Sequence, residues 1–142
     1  MENKARLVID SLSDNIGLAR VTVASFASQL NFTLAELEEI KVAISEAVSN
    51  SIIHGYQGEI GEIDISMRVH EHQLEIIIED QGCGIEDIKT ACEPAYTTAD
   101  RMGLGLVFID SFMDKFEIAS KVNQGTRLKM VKIPVQEQKQ VN

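Results

Sequence analysis

Basic residues are scarce in this chain: 13 Lys and Arg stand against 22 Asp and Glu, a formal net charge of −9. That deficit argues against non-specific binding to nucleic acid or to an anionic membrane, both of which need a basic surface. It suits a partner with basic patches, although solubility alone would also explain it. No apolar run approaches the length of a membrane span. The N-terminal Met1-Glu2-Asn3-Lys4-Ala5-Arg6 leads into only three consecutive apolar residues, so no signal peptide is expected. Cys83 and Cys92 lack metal-ligand spacing and read as reduced thiols of a cytoplasmic protein. A Gly-x-x-x-x-Gly-Lys-Ser/Thr loop is missing, as is a βαβ series with a Gly-x-Gly-x-x-Gly turn. A nucleotide, if one binds, is therefore held neither by a P-loop nor by a dinucleotide fold. No internal repeat or linker divides the chain, and 142 residues at 44% hydrophobic content predict one domain over 1–142.

What is present begins with a short apolar run, Leu7 to Ile9, read as an edge strand ahead of a helix cap at Ser11 to Asp14. Ile16, Ala19, Val23, Phe26, Ala27 and Leu30 recur at helical spacing and predict a first helix over about 14–30. Thr33 followed by Glu36 is a capping box that opens a second helix, closed by Gly55. Its main stripe is Leu37, Ile40, Ile44, Val48 and Ile52; Val42 and Ile53 lie on the other side, which predicts packing on two sides. From Glu62 the period is two, and Ile63, Ile65, Met67 and Val69, then Leu74, Ile76 and Ile78, predict a hairpin over about 62–80. His70 and His72 at its turn read as solvated in preference to metal-binding. Residues 86–102, with Pro94, Thr97 and Thr98, show no firm period and read as a helical turn and a lid. Apolar residues after Gly103-Leu104-Gly105-Leu106 predict a helix, and a last hairpin follows around Asn123-Gln124-Gly125. Residues 135–142 read as a frayed tail. Hairpins with helices imply a largely antiparallel sheet covered on one face, an α+β sandwich.

Three segments carry chemistry. Glu46 and Asn50 lie one helical turn apart and share a face. A carboxylate there can polarise a hydroxyl or a water, and an amide oxygen can hold a hard cation such as magnesium. An ordinary solvated helix face would show the same spacing. Packing on two sides would leave Glu46 partly desolvated and sharpen it as a base. Asp80-Gln81-Gly82-Cys83-Gly84 places an aspartate at a strand end before two alternate glycines, which let backbone approach a ligand closely. Gly103-Leu104-Gly105-Leu106 reads as a glycine-rich entry to a helix N-terminus, where free N–H groups and the dipole suit phosphate.

In this order and spacing, Glu46…Asn50…His54-Gly55, Asp80-x-Gly82-x-Gly84, Gly103-x-Gly105 and Gly125-Thr126 resemble the Bergerat (GHKL) ATP-binding fold of gyrase, histidine kinases and mismatch-repair ATPases. Ala19 to Ala24, Ser45 to Tyr56, Pro94 to Thr98 and Phe112-Met113-Asp114 further resemble the anti-sigma serine kinases of spore-forming bacteria, a likeness spanning about 7–133. The resemblance implies an α+β sandwich with a mixed, mostly antiparallel sheet. It implies an anti-sigma factor that sequesters a sporulation sigma factor and uses Mg2+-ATP to phosphorylate a serine of an anti-anti-sigma factor, leaving ADP. It also implies a homodimer. Carried over by position, Glu46 would be the base, Asn50 the magnesium ligand, and Asp80 the reader of the adenine amino group, with Gly82 and Gly84 shaping that wall. Gly103 and Gly105 would cradle phosphates with Arg101; Thr97 and Thr98 of the lid and Thr126 at the adenine end would complete the nucleotide contacts. Arg20 would lie on the partner-binding surface. Two features depart from the sporulation pattern: the Gly103–Leu106 segment is closer to the histidine-kinase version, and the lid is short. Rival readings are a stress-response kinase of the same family, a sigma-binding module with ATP as a structural ligand, and an ATPase clamp without a protein acceptor.

Overall fold

A computed structural model describes residues 2–57, 59–83, 100–121 and 123–140. Five strands form one antiparallel sheet in the order β1-β2-β3-β5-β4, with β1 Asn3–Asp10, β2 Glu62–His70, β3 Gln73–Asp80, β4 Lys115–Lys121 and β5 Gly125–Lys132. The helices are α1 Ile16–Ala27, α2 Leu34–Asn50, α3 Asp100–Phe112 and a short α4 Val135–Gln140. Among the described residues every strand pairing is antiparallel, and no helix is long and apolar enough to cross a membrane.

The alternation seen in the sequence is the layer boundary. Ile63, Ile65, Met67 and Val69 of β2 and Leu74, Ile76 and Ile78 of β3 are buried against the helices, while their neighbours face away. The outward face is laced with ion pairs, Arg6 with Asp64, Arg127 with Glu79 and Lys129 with Glu75. The Asp64 carboxylate, by hydrogen bond and charge, raises the pKa of Arg6. On the inner face α2 is the middle helix, packed against α1 on one side and α3 on the other. Ile40, Ala43, Ile44, Ala47 and Val48 of α2 are fully buried on the sheet. α2 is thus covered on two sides, as expected, but Val42 and Ile53, at 40% and 46% exposed, take no part in that cover among the described residues.

α2 is fixed at its start by side chains and at its end by backbone. The capping box is present: Thr33 Oγ1 accepts from the Glu36 N–H and Glu36 Oε1 accepts from the Thr33 N–H. Glu36 Oε2 also accepts from the N–H of Val135 at 3.0 Å, 99 positions away. That tie, with Pro134 buried beneath it, holds a helix over Val135–Gln140 where the sequence suggested fraying. At the other end the helix does not run to Gly55 in α geometry. It widens into a π turn over Ser51–Gly55, closed by the Tyr56 N–H on the Ser51 carbonyl at 2.9 Å. Such turns often mark functional sites.

Candidate nucleotide site

The end of α2, the π turn and the ends of β3 and β5 meet at one pole of the sandwich. Glu46 and Asn50 both face Gly105 of α3: a Cβ there would lie 2.9 Å from Glu46 Oε2 and 3.5 Å from either terminal atom of the Asn50 amide. A side chain at this position would push the Glu46 carboxylate aside, so glycine keeps that carboxylate where it stands. Asn50 is buried, and its amide nitrogen has no hydrogen-bond partner among the described residues. An unmet buried amide costs about 1–3 kcal/mol, which a ligand at this position would relieve. The adjoining Glu46 carboxylate makes the site an oxygen-rich one, the chemistry magnesium prefers.

Asp80 lies on the other side of this pocket, 5% exposed. Its Oδ2 accepts from the Ser51 hydroxyl at 2.7 Å, and its Oδ1 accepts from the Gly82 N–H at 2.9 Å. Thr126 is the register partner of Asp80 across β3 and β5, and its hydroxyl lies 3.0 Å from that of Ser120. Ala47, Asn50, Ser51, His54, Gly55, Asp80, Leu106, Ile118, Thr126 and Leu128 line one pocket, apolar in its walls with a carboxylate at its floor. The lining is of the kind that faces a flat, partly polar ring, but the free volume, about 20 Å³, holds about one water, so a ring would enter only as the cavity opens.

Two glycines are required by close backbone approach. A Cβ at Gly82 would fall 2.3 Å from the Gly55 carbonyl oxygen. Gly125, at φ +94°, passes so near the Asp80 carbonyl that a Cβ would lie 2.0 Å from it. The loop after β3 is stapled in place: the Cys83 N–H donates to the Gly55 carbonyl at 2.8 Å, and the Cys83 thiol lies 3.0 Å from the His54 carbonyl oxygen. The Tyr56 hydroxyl accepts from the Gln81 N–H at 2.8 Å and donates to the Glu62 carbonyl.

Of the residues singled out from the sequence, the fold brings together Glu46, Asn50 and Gly105, and next to them Asp80, Gly82 and Thr126. Arg20 is exposed on α1, away from this pocket and beside exposed Leu18 and Val21. Gly84, Thr97 and Thr98 lie outside the described residues. The glycine-rich segment differs from expectation in one respect. The helix starts at Asp100, so Arg101, Gly103 and Gly105 fall within its first two turns instead of ahead of it. The N–H groups left open belong to the residues that start the helix. Ser51 and Ser120 were not anticipated. Ser51 has a retrospective signal, a polar residue three and seven positions after the apolar stripe residues Val48 and Ile44. His70 and His72 face Glu75 at 3.6 Å and Glu137 at 3.9 Å, at the hairpin turn.

Comparison with known proteins bears on the family and the fold. Residues 9–132 match the model of the histidine kinase-like ATPase domain. The chain is 44% identical over 135 residues to an anti-sigma F factor of Clostridium acetobutylicum, covering 93% of this chain and 94% of that one. It is equally 44% identical, over 136 residues, to an anti-sigma F factor of Anoxybacillus flavithermus, covering 93% of each. Among solved structures, the histidine kinase domain of the blue-light activated kinase from Erythrobacter litoralis superposes with a TM-score of 0.56 at 18% identity. That match covers 91% of this chain and 63% of the kinase-domain chain, and bears on the fold alone.

Proposed function

The chain belongs to the histidine kinase-like ATPase family, in the company of the anti-sigma F factors, and from that premise we propose that it is an anti-sigma kinase. In this reading it captures a sigma factor of the sporulation type and phosphorylates a serine of the cognate anti-anti-sigma protein, with Mg2+-ATP as phosphate donor. The observation that carries it is the convergence of Glu46, Asn50 and Gly105, with Asn50 also lining the pocket that Asp80 and Thr126 line.

Phosphoryl transfer needs neutralised phosphates and an oriented nucleophile more than covalent help. Asp80 accepts a hydrogen bond from the amino group of the base, and Gly82 and Gly84 shape the wall beside it. Thr126 touches the same end of the nucleotide. In this reading the phosphates would meet the N–H groups of the first turn of α3, with Arg101, Gly103, Gly105, Thr97 and Thr98 completing the nucleotide contacts. The Asn50 amide oxygen would hold magnesium, which would supply positive charge to offset that of the phosphates. Glu46 takes the proton from the serine hydroxyl as its oxygen bonds to the terminal phosphorus. The bond from that phosphorus to the bridging oxygen breaks, and ADP leaves. The exposed α1 surface around Arg20, Leu18 and Val21 serves the protein partners, and the homodimer is part of the same reading.

The test is incubation with ATP labelled on its terminal phosphate and an anti-anti-sigma protein. Label should appear on a serine, and Glu46→Gln should remove it while calorimetry still detects Mg2+-ATP binding. Wild-type transfer rates in that variant would overturn the role of Glu46. Absence of binding heat in the unaltered protein would overturn the nucleotide site.

A further inference from the structure

We propose that Ser51 is a positioning residue that sets the base selectivity of the pocket, by holding Asp80 as a fixed pair of hydrogen-bond acceptors. The inference rests on the reading of this pocket as a nucleotide site and adds a discriminating role for a side chain outside the set named above.

Ser51 occupies an apolar position by pattern. It follows Ile44 and Val48 at helical spacing on the face of α2 that packs on the sheet, where alanine would fit without leaving a polar group to satisfy. A hydroxyl buried there to 4% exposure costs free energy unless it is paired. Its partner is Asp80 Oδ2, at 2.7 Å. A serine hydroxyl has a single hydrogen, and donating it to the carboxylate fixes the rotor. The Gly82 N–H engages the other oxygen at 2.9 Å. Each carboxylate oxygen thus receives one donor from the protein and keeps a lone pair in reserve, with the carboxylate plane set by donors from the π turn and from the loop after β3.

Such a floor is complementary to a ring bearing an amino group and hostile to one bearing a carbonyl at the same position. The carbonyl would bring an acceptor against an acceptor with no proton between them. Discrimination of this kind is large when the buried group cannot rotate to another arrangement. Without the Ser51 hydroxyl, Asp80 Oδ2 loses its donor and the carboxylate gains freedom to turn, so the penalty against the carbonyl-bearing ring should fall.

The experiment compares calorimetric affinities for ATP and for inosine triphosphate, which replaces the amino group by a carbonyl and leaves the triphosphate unchanged. Any general damage to the fold weakens both nucleotides equally, so the ratio of the affinities isolates recognition of the base. Ser51→Ala should lower the ATP-to-inosine ratio by about tenfold, while Ser51→Thr, which keeps the hydroxyl, should restore most of it. In the labelled-transfer assay Ser51→Ala should raise KM for ATP and leave kcat close to that of the unaltered protein. An unchanged affinity ratio in Ser51→Ala, with ATP still preferred, would overturn the role of Ser51 and leave the nucleotide site standing. If the unaltered protein binds neither nucleotide, the pocket reading falls and this inference with it.

Discussion

Replacing Gly82 by alanine tests the geometry of the pocket more severely than removing any of its polar groups. The added Cβ would fall 2.3 Å from the Gly55 carbonyl oxygen, 2.4 Å from its carbonyl carbon and 2.7 Å from its Cα. All three are backbone atoms of a π turn that cannot retreat without disturbing the end of α2. The loop after β3 must therefore lift away, and two hydrogen bonds go with it: the Cys83 N–H to the Gly55 carbonyl and the Gly82 N–H to Asp80 Oδ1. Overpacking of this kind costs about 1–3 kcal/mol. The lost backbone bond adds about 1 kcal/mol, and the lost donor to a buried carboxylate about 1.5–3 kcal/mol. A total of about 5 kcal/mol is a large fraction of the stability of an ordinary domain, and at roughly 3 °C per kcal/mol the midpoint should fall by about 15 °C. Gly17 is the internal control, because nothing lies within 4 Å of a Cβ added there. Gly17→Ala, inside α1, should hold or raise the midpoint by a few degrees through helix propensity alone. Thermal unfolding followed by circular dichroism, with ATP titration of each variant, makes the comparison. Equal midpoints for the two variants, or unimpaired ATP binding by Gly82→Ala, would refute the close approach of Gly82 to Gly55.

Three further outcomes follow from the same contacts. Gly105→Ala should leave the midpoint unchanged or slightly higher, since alanine is the better helix former by about 1 kcal/mol. It should nevertheless cut serine phosphorylation by about a hundredfold, because a Cβ 2.9 Å from Glu46 Oε2 displaces the carboxylate; matched transfer rates would count against that contact. Asn50→Ala should abolish the magnesium dependence of ATP affinity in calorimetry, and a preserved magnesium effect would remove Asn50 from the cation site. Glu36→Ala removes a capping box and the bond to the Val135 N–H together. It should lower the midpoint by several degrees, at about 2–3 kcal/mol for cap and charged bond combined, with ATP affinity untouched. A loss of ATP binding in that variant would contradict the separation of the two ends of α2.

How much of this was legible in the residues depends on whether the cause was local. The alternation in Ile63 to Val69 and Leu74 to Ile78, and the Thr33–Glu36 box, are local, and the structure realises them where the pattern put them. The Glu46–Asn50 pair and the Asp80–Gly82 segment were visible as spacing, though only the fold shows that Gly105 closes on the first and Gly55 on the second. What stayed hidden depends on contacts between distant segments. The second bond of Glu36, to Val135, turns an apparently disposable tail into a helix. The burial of Ser51 against Asp80 gives a structural task to a serine that reads as an ordinary helix residue. The turn after β2 was placed correctly, but the left-handed Glu71 and His72, with φ of 50° and 61°, carry no glycine or asparagine to announce that geometry. Val42 and Ile53 show the opposite failure, for α2 is packed on two sides as the pattern implied, yet these two apolar groups stay exposed. Periodicity reports which side chains prefer to leave water, whereas the site is made by which backbones are permitted to touch. In this chain that permission is written in Gly82 and Gly125, at distances no spacing rule contains.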